Sequence, residues 1–155
     1  MDTVRASNDF KLEILPTKNA QNELWLRTVI TIDGTELFPN DCVEIVQLVA
    51  SLYEPSGYFI FTCSCGEPGC AGWFQPVRVT HDFDQVLWNT ARGHNEFHWR
   101  FSKRQMYTQV LCELEKVFPK LSYSVQYGWL NLDHEQTDLS EITKRLEQLR
   151  ANPIQ

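Results

Sequence analysis

The sequence predicts an α+β fold: a mostly antiparallel sheet with about three helices packed on it. Two observations predict it. Stretches with strand periodicity outnumber those with helical periodicity, and the strands follow one another in runs, where a doubly wound sheet would alternate them with helices. At 155 residues the chain is expected to form a single domain, long enough to bury a core without disulfides or metal.

Residues 1 to 8 are polar and expected to be loose. In residues 10 to 14, Phe10, Leu12 and Ile14 alternate with Lys11 and Glu13, the period of a half-buried strand. Residues 16 to 22 read as a turn-rich link and residues 23 to 32 as a longer strand. Asp33 and Gly34 then give a hairpin turn signal, after which residues 35 to 38 pair back briefly. Asp41, with Glu44 three residues on, resembles a capping box. It predicts a helix whose apolar stripe is Cys42, Ile45, Val46, Val49, Leu52 and Tyr53. Pro55, Ser56 and Gly57 end it.

Residues 58 to 65 and 70 to 81 predict a β-hairpin around Gly66, Glu67, Pro68 and Gly69. Alternation puts Phe59, Phe61, Cys63 and Cys65 on one face, which the two phenylalanines mark as buried. A symmetrical closure sets Cys65 opposite Cys70 with Cβ atoms about 4.5 to 5.5 Å apart, and Cys63 about 6.6 Å further along the strand. Cys63, Cys65 and Cys70 are therefore a candidate zinc site lacking one of the four ligands a tetrahedron needs. The spacing C-x-C-x4-C also lacks paired C-x2-C knuckles, so reduced, packed thiols are the simpler reading.

Asp82, Phe83 and Asp84 turn the chain into a strand over residues 85 to 90. The next strand carries Phe97, Trp99 and Phe101 on one face and His94, Glu96, His98 and Arg100 on the other, the best candidate for a polar site. His94 and His98 would stand about 13 Å apart on an extended strand, too far to share one ion. Ser102 and Gln105 form a second capping box. The helix they open, with Tyr107, Val110, Leu111, Leu114 and Val117 as its stripe, is expected to stop at Pro119. Tyr123, Val125, Tyr127 and Trp129 at period two predict a late strand. A final helix over residues 138 to 151 presents Leu139, Ile142, Leu146 and Leu149, with Glu141 and Arg145 as an i,i+4 pair.

Net charge is −6 and the isoelectric point about 5.2, so neither nucleic acid nor an anionic membrane is the expected partner; a basic protein is. Arg100, Lys103 and Arg104 beside Trp99 have the ingredients of a single-strand stacking site, against the charge of the whole chain. No window approaches the roughly 18 apolar residues of a membrane span, and the first residues lack a signal-peptide core, so a cytoplasmic location is expected. Five cysteines, an odd number, with Cys42 and Cys112 far from the others, fit reduced thiols. There is no P-loop, G-x-G-x-x-G, G-x-S-x-G or H-E-x-x-H motif. A nucleophilic Cys70 would need a base such as His81 or His94, which nothing in the spacing requires.

The run CSCGEPGCAG, followed by Val77 and Val79, Trp88, the F-x-W-x-F of Phe97, Trp99 and Phe101, and the helix near Arg104, resembles a group of small uncharacterised bacterial proteins carrying C-x-C-G-x-x-x-C-x-G. The resemblance spans roughly residues 57 to 118. It implies a bacterial, cytoplasmic α+β protein and assigns no role to any residue.

Small size, acidity, abundant aromatic residues and the lack of a catalytic motif point to a protein-binding module, such as an immunity or antitoxin-like protein that neutralises a basic toxin. Its contact residues would be Trp73, Glu67, Asp82, Asp84 and Glu96, with no cofactor required. The alternatives are a zinc-stabilised accessory domain built on Cys63, Cys65 and Cys70, or a cysteine-dependent enzyme.

Overall fold

The computed structural model describes residues 7–18, 24–39, 41–62, 72–127, 130–131 and 139–154. It has the α+β architecture that the sequence predicts, with three helices and mostly antiparallel strands among the described residues.

Strand β1 (Phe10–Lys18) pairs antiparallel with β2 (Leu24–Ile32), and Phe10, Leu12 and Ile14 are buried as their alternation requires. The expected link at Pro16 is instead strand, Pro16 lying opposite Leu26. Asp33 and Gly34 both have positive φ (51° and 82°), the sign pattern of a type I′ turn, and return the chain into β3 (Thr35–Glu36).

The expected helix start at Asp41 is corrected. Cys42 and Val43 form β4 (Cys42–Val43), paired with β6 (Phe61–Thr62), and α1 runs only over Ile45–Tyr53. Glu44 occupies the cap position without a side-chain cap bond, and Asp41 bonds Trp73 and Arg92 instead of capping a helix. Ile45, Leu48, Val49 and Leu52 are its buried stripe.

The second four-stranded sheet has the order β5 (Ser56–Tyr58), β7 (Val77–Asp82), β8 (Gln85–Arg92), β9 (Asn95–Ser102). Gly57 has a steric reason: a Cβ there would lie 2.9 Å from Pro76 Cγ. The expected continuous strand over 58 to 65 is broken. Tyr58 pairs with Val77, but Phe61 pairs with Val43, and Ile60 and Phe61 are both buried although adjacent. Strand parity does not carry across that break.

Helix α2 spans Lys103–Tyr127, with the Gln105 N–H donating to Ser102 Oγ at 3.2 Å. Pro119 does not stop it: a proline removes one ladder bond and kinks a helix without always ending it. The expected late strand is correspondingly corrected to helix through Tyr127, followed by β10 (Leu130–Asn131), parallel to β2. α3 (Leu139–Ala151) buries Ile142, Leu146 and Leu149. Glu141 pairs with Lys144 at 3.4 Å, and Arg145 Nη1 donates to Gln148 Oε1 at 2.9 Å, both i,i+3 contacts along the helix.

One contiguous core joins these elements. Phe10 of the first sheet meets Trp88 and Phe101 of the second edge to face, with ring centroids 6.2 and 5.2 Å apart. Each fully buried aromatic of this kind contributes about 1.5–3 kcal/mol. Tyr107 Oη donates to the Leu149 carbonyl (2.5 Å) and Tyr53 Oη to the Asn152 carbonyl (2.9 Å), tying α3 and its end to α2 and α1.

The outer edge of β1 has no strand partner among the described residues; α2 covers it. The N–H groups of Phe10, Leu12 and Ile14 donate to Gln105 Oε1 (3.3 Å), Gln109 Oε1 (3.2 Å) and Glu113 Oε2 (2.9 Å). Two strand residues advance about 6.8 Å and four helix residues about 6.0 Å, a mismatch that long side chains absorb. The next outward position is Pro16, which has no N–H, and the next helix position is the buried Val117. The ladder ends where the donor does.

Candidate interaction surface

The sheet β5–β7–β8–β9 has one face in the core and one open to solvent. Val77, Val79, Val86, Trp88 and Phe101 are buried, whereas Arg78, Thr80, Asp82, Glu96 and His98 are exposed on the opposite side. Cross-strand neighbours interact on that open face. His98 Nδ1–H donates to Asn89 Oδ1 (2.6 Å), opposite it in the ladder, and His98 Nε2 lies 3.6 Å from Glu96 Oε2. Arg100 Nη1 donates to Gln85 Oε1 (2.7 Å) and stands 3.4 Å from Asp82 Oδ2.

Two hairpins close this sheet with two-residue turns. In the β8–β9 turn Gly93 has φ 62°, and its successor His94 does not have positive φ, the sign pattern of a type II′ turn in which glycine is favoured first. The β7–β8 turn has the same pattern, with Phe83 (φ 56°) in the glycine position. A residue with a Cβ is held there at a cost of about 1–2 kcal/mol. The ring gains no burial in return: Phe83 is 95% exposed. Asp82 and Asp84 flank it, both exposed, and the Asp84 carbonyl accepts from the Lys103 N–H (2.9 Å), which fixes the tip to the start of α2.

The expected contact residues are thus divided. Asp82, Asp84 and Glu96 all lie on the exposed surface, but Glu96 is opposite Ala91 and Asp82 opposite Gln85, about 20 Å apart along the strands. Trp73 is corrected from surface anchor to core. It is 1% exposed, stacks on Phe61 (5.2 Å), and its Nε1–H donates to Asp41 Oδ2 (2.8 Å). Arg92 completes this group: its guanidinium lies over Trp73 and Phe38 (5.5 and 5.7 Å) and pairs with the 4% exposed Asp41 carboxylate at 3.1 Å. This is a structural clamp. Indole, guanidinium and carboxylate satisfy one another where the chain returns to the sheet.

Glu67, Cys63, Cys65 and Cys70 lie outside the described residues. The β5–β7 register is the one a symmetrical Cys65–Cys70 closure implies, but its ladder ends at Tyr58 opposite Val77. Among the described residues no group of three His, Cys, Asp or Glu is placed to hold a metal. His81 Nε2–H donates to the Ser51 carbonyl (2.8 Å), a structural tie to α1. His94, read as part of the polar strand face, sits in the turn that follows Gly93. The sequence missed Phe83; an aromatic residue between two aspartates in a short turn was its only sign. The N-terminus is tighter than expected from Ser7 onward, since Asn8 bonds Arg100 and Asp33.

Among the described residues no helix is long and apolar enough to cross a membrane. No family model, curated protein or solved structure matches the chain.

Proposed function

We propose that this is an acidic protein-binding module that neutralises a basic protein, in the manner of an immunity or antitoxin-like protein, and that the β7–β8 tip anchors the partner. The observation that carries this reading is Phe83: an aromatic ring 95% exposed, held at φ 56° where the neighbouring hairpin uses glycine, between two carboxylates. Local strain kept without a packing gain marks a functional position. An aromatic anchor rimmed by negative charge fits an apolar pocket rimmed by lysine and arginine. The net charge of −6 favours encounter with such a surface.

The test is a photo-crosslinking phenylalanine analogue at position 83, expressed in the native host, with the same analogue at the exposed Glu115 on α2 as control. One basic protein captured at position 83 and absent from the control is expected, and its capture should fall at least tenfold when Asp82 and Asp84 are both changed to asparagine. Equal labelling at both positions, or none at 83, overturns the proposal.

A further inference from the structure

Two of the edge strands, β1 and β9, are treated differently. The β1 edge is closed by the Gln105, Gln109 and Glu113 ladder, so the outward amides of Phe10, Leu12 and Ile14 are satisfied within the chain. Among the described residues the β9 edge is closed only at one end. Asn8 N–H donates to the Arg100 carbonyl (2.6 Å) and Asn8 Oδ1 accepts from the Arg100 N–H (2.9 Å), so both main-chain groups of Arg100 point outward. By the two-residue period of a strand, the N–H and C=O of His98 and Glu96 point the same way. Among the described residues no strand pairs with β9 on that side apart from the single Asn8–Phe101 bridge.

The side chains along this edge specify what it would accept. On the core-facing side the Phe97 and Trp99 rings stack at 5.3 Å, and both are half-buried; Phe38 packs on Phe97 at 5.3 Å. On the open side stand the exposed Glu96 and His98. We propose that the β9 edge over residues 95 to 99 receives an extended segment of a protein partner by strand addition, with apolar side chains over Phe97 and Trp99 and a basic side chain beside Glu96. Main-chain bonds supply the affinity in this mode and alternate side chains the specificity. The segment accommodated is short, about 17 Å, because Asn8 closes the far end. This inference deepens the protein-binding reading by naming a second contact and its geometry.

The test uses the full chain and a synthetic capped peptide alternating valine and lysine, followed by amide hydrogen exchange in NMR. Expected is at least tenfold slower exchange of the Glu96 and His98 amides with peptide in excess. The effect should be absent with a peptide N-methylated on alternate residues, and absent with glutamate in place of lysine. His98→Pro removes an outward donor without removing a β8 ladder bond, and should abolish binding while the protein stays folded. Glu96→Lys is the second variant should His98→Pro not fold, and should reverse the preference for lysine. Unchanged exchange at both amides overturns the inference, as does protection that appears only when residues 1 to 6 are deleted, which would show the edge to be used by the chain itself. Failure here with partner capture intact at position 83 removes strand addition alone. Peptide binding without any captured partner removes the neutraliser reading alone.

Discussion

Replacing Glu113 with leucine removes the acceptor for the Ile14 N–H and leaves that amide facing an apolar side chain. Ile14 is fully buried and the Glu113 side chain only 15% exposed, so water has little access to compensate. An unsatisfied buried donor costs about 1–3 kcal/mol, and bonds to a charged acceptor lie in the upper part of that range. Loss of the exposed Lys116 partner at 2.8 Å adds little, about 0–1 kcal/mol. A total near 2 kcal/mol follows, which at a urea slope of about 2 kcal/mol/M lowers the unfolding midpoint by about 1 M. Glu113→Gln keeps an acceptor oxygen and should recover most of the loss. Urea titration followed by tryptophan fluorescence measures both variants, and sedimentation shows whether the uncovered β1 edge self-associates. If Glu113→Leu stays within about 0.3 kcal/mol of the parent, the side-chain ladder does not close the β1 edge.

Four other outcomes are expected. Asp41→Ala should cost about 2–3 kcal/mol because it strands Arg92 and the Trp73 indole together, and a double-mutant cycle with Trp73→Phe should show coupling of about 1 kcal/mol; additive losses would refute the clamp. Thr90→Val should be neutral or stabilise by up to about 1 kcal/mol in thermal melts, since the buried Thr90 hydroxyl has no hydrogen-bond partner among the described residues; a clear loss would show that the hydroxyl is bonded. Phe83→Gly should leave stability unchanged or raise it by up to about 1 kcal/mol while weakening partner capture, and a destabilised variant would mean the ring packs. Stability should fall as pH rises between about 10 and 12. Burial pushes the Tyr53 phenol up to about 12 and raises those of Tyr58 and Tyr107, so unfolded phenols ionise while folded ones keep their protons; denaturant titrations across that range that show no loss would contradict it.

The alternating runs of β1, β2, β8 and β9, the Asp33–Gly34 turn and the stripe of α3 were determined by the sequence alone, because burying one face of a strand or helix imposes a period that neighbouring residues display. The exposure of Asp82, Asp84 and Glu96 was legible on the same basis, as polar residues at a turn and on the outward phase of a strand. What a residue meets across the chain has no local period. Asp41 carries the signature of a helix cap, yet the tertiary structure gives it to Arg92 and Trp73, which moves Trp73 from surface to core. Gln105, Gln109 and Glu113 form a visible row four residues apart. Only the packing of α2 alongside β1 makes that row an acceptor ladder, because the amides it satisfies lie about a hundred residues away. The strain at Phe83 belongs to the same class, since the left-handed backbone is imposed by the pairing of Asp82 with Gln85 across a two-residue turn and not by the phenylalanine itself.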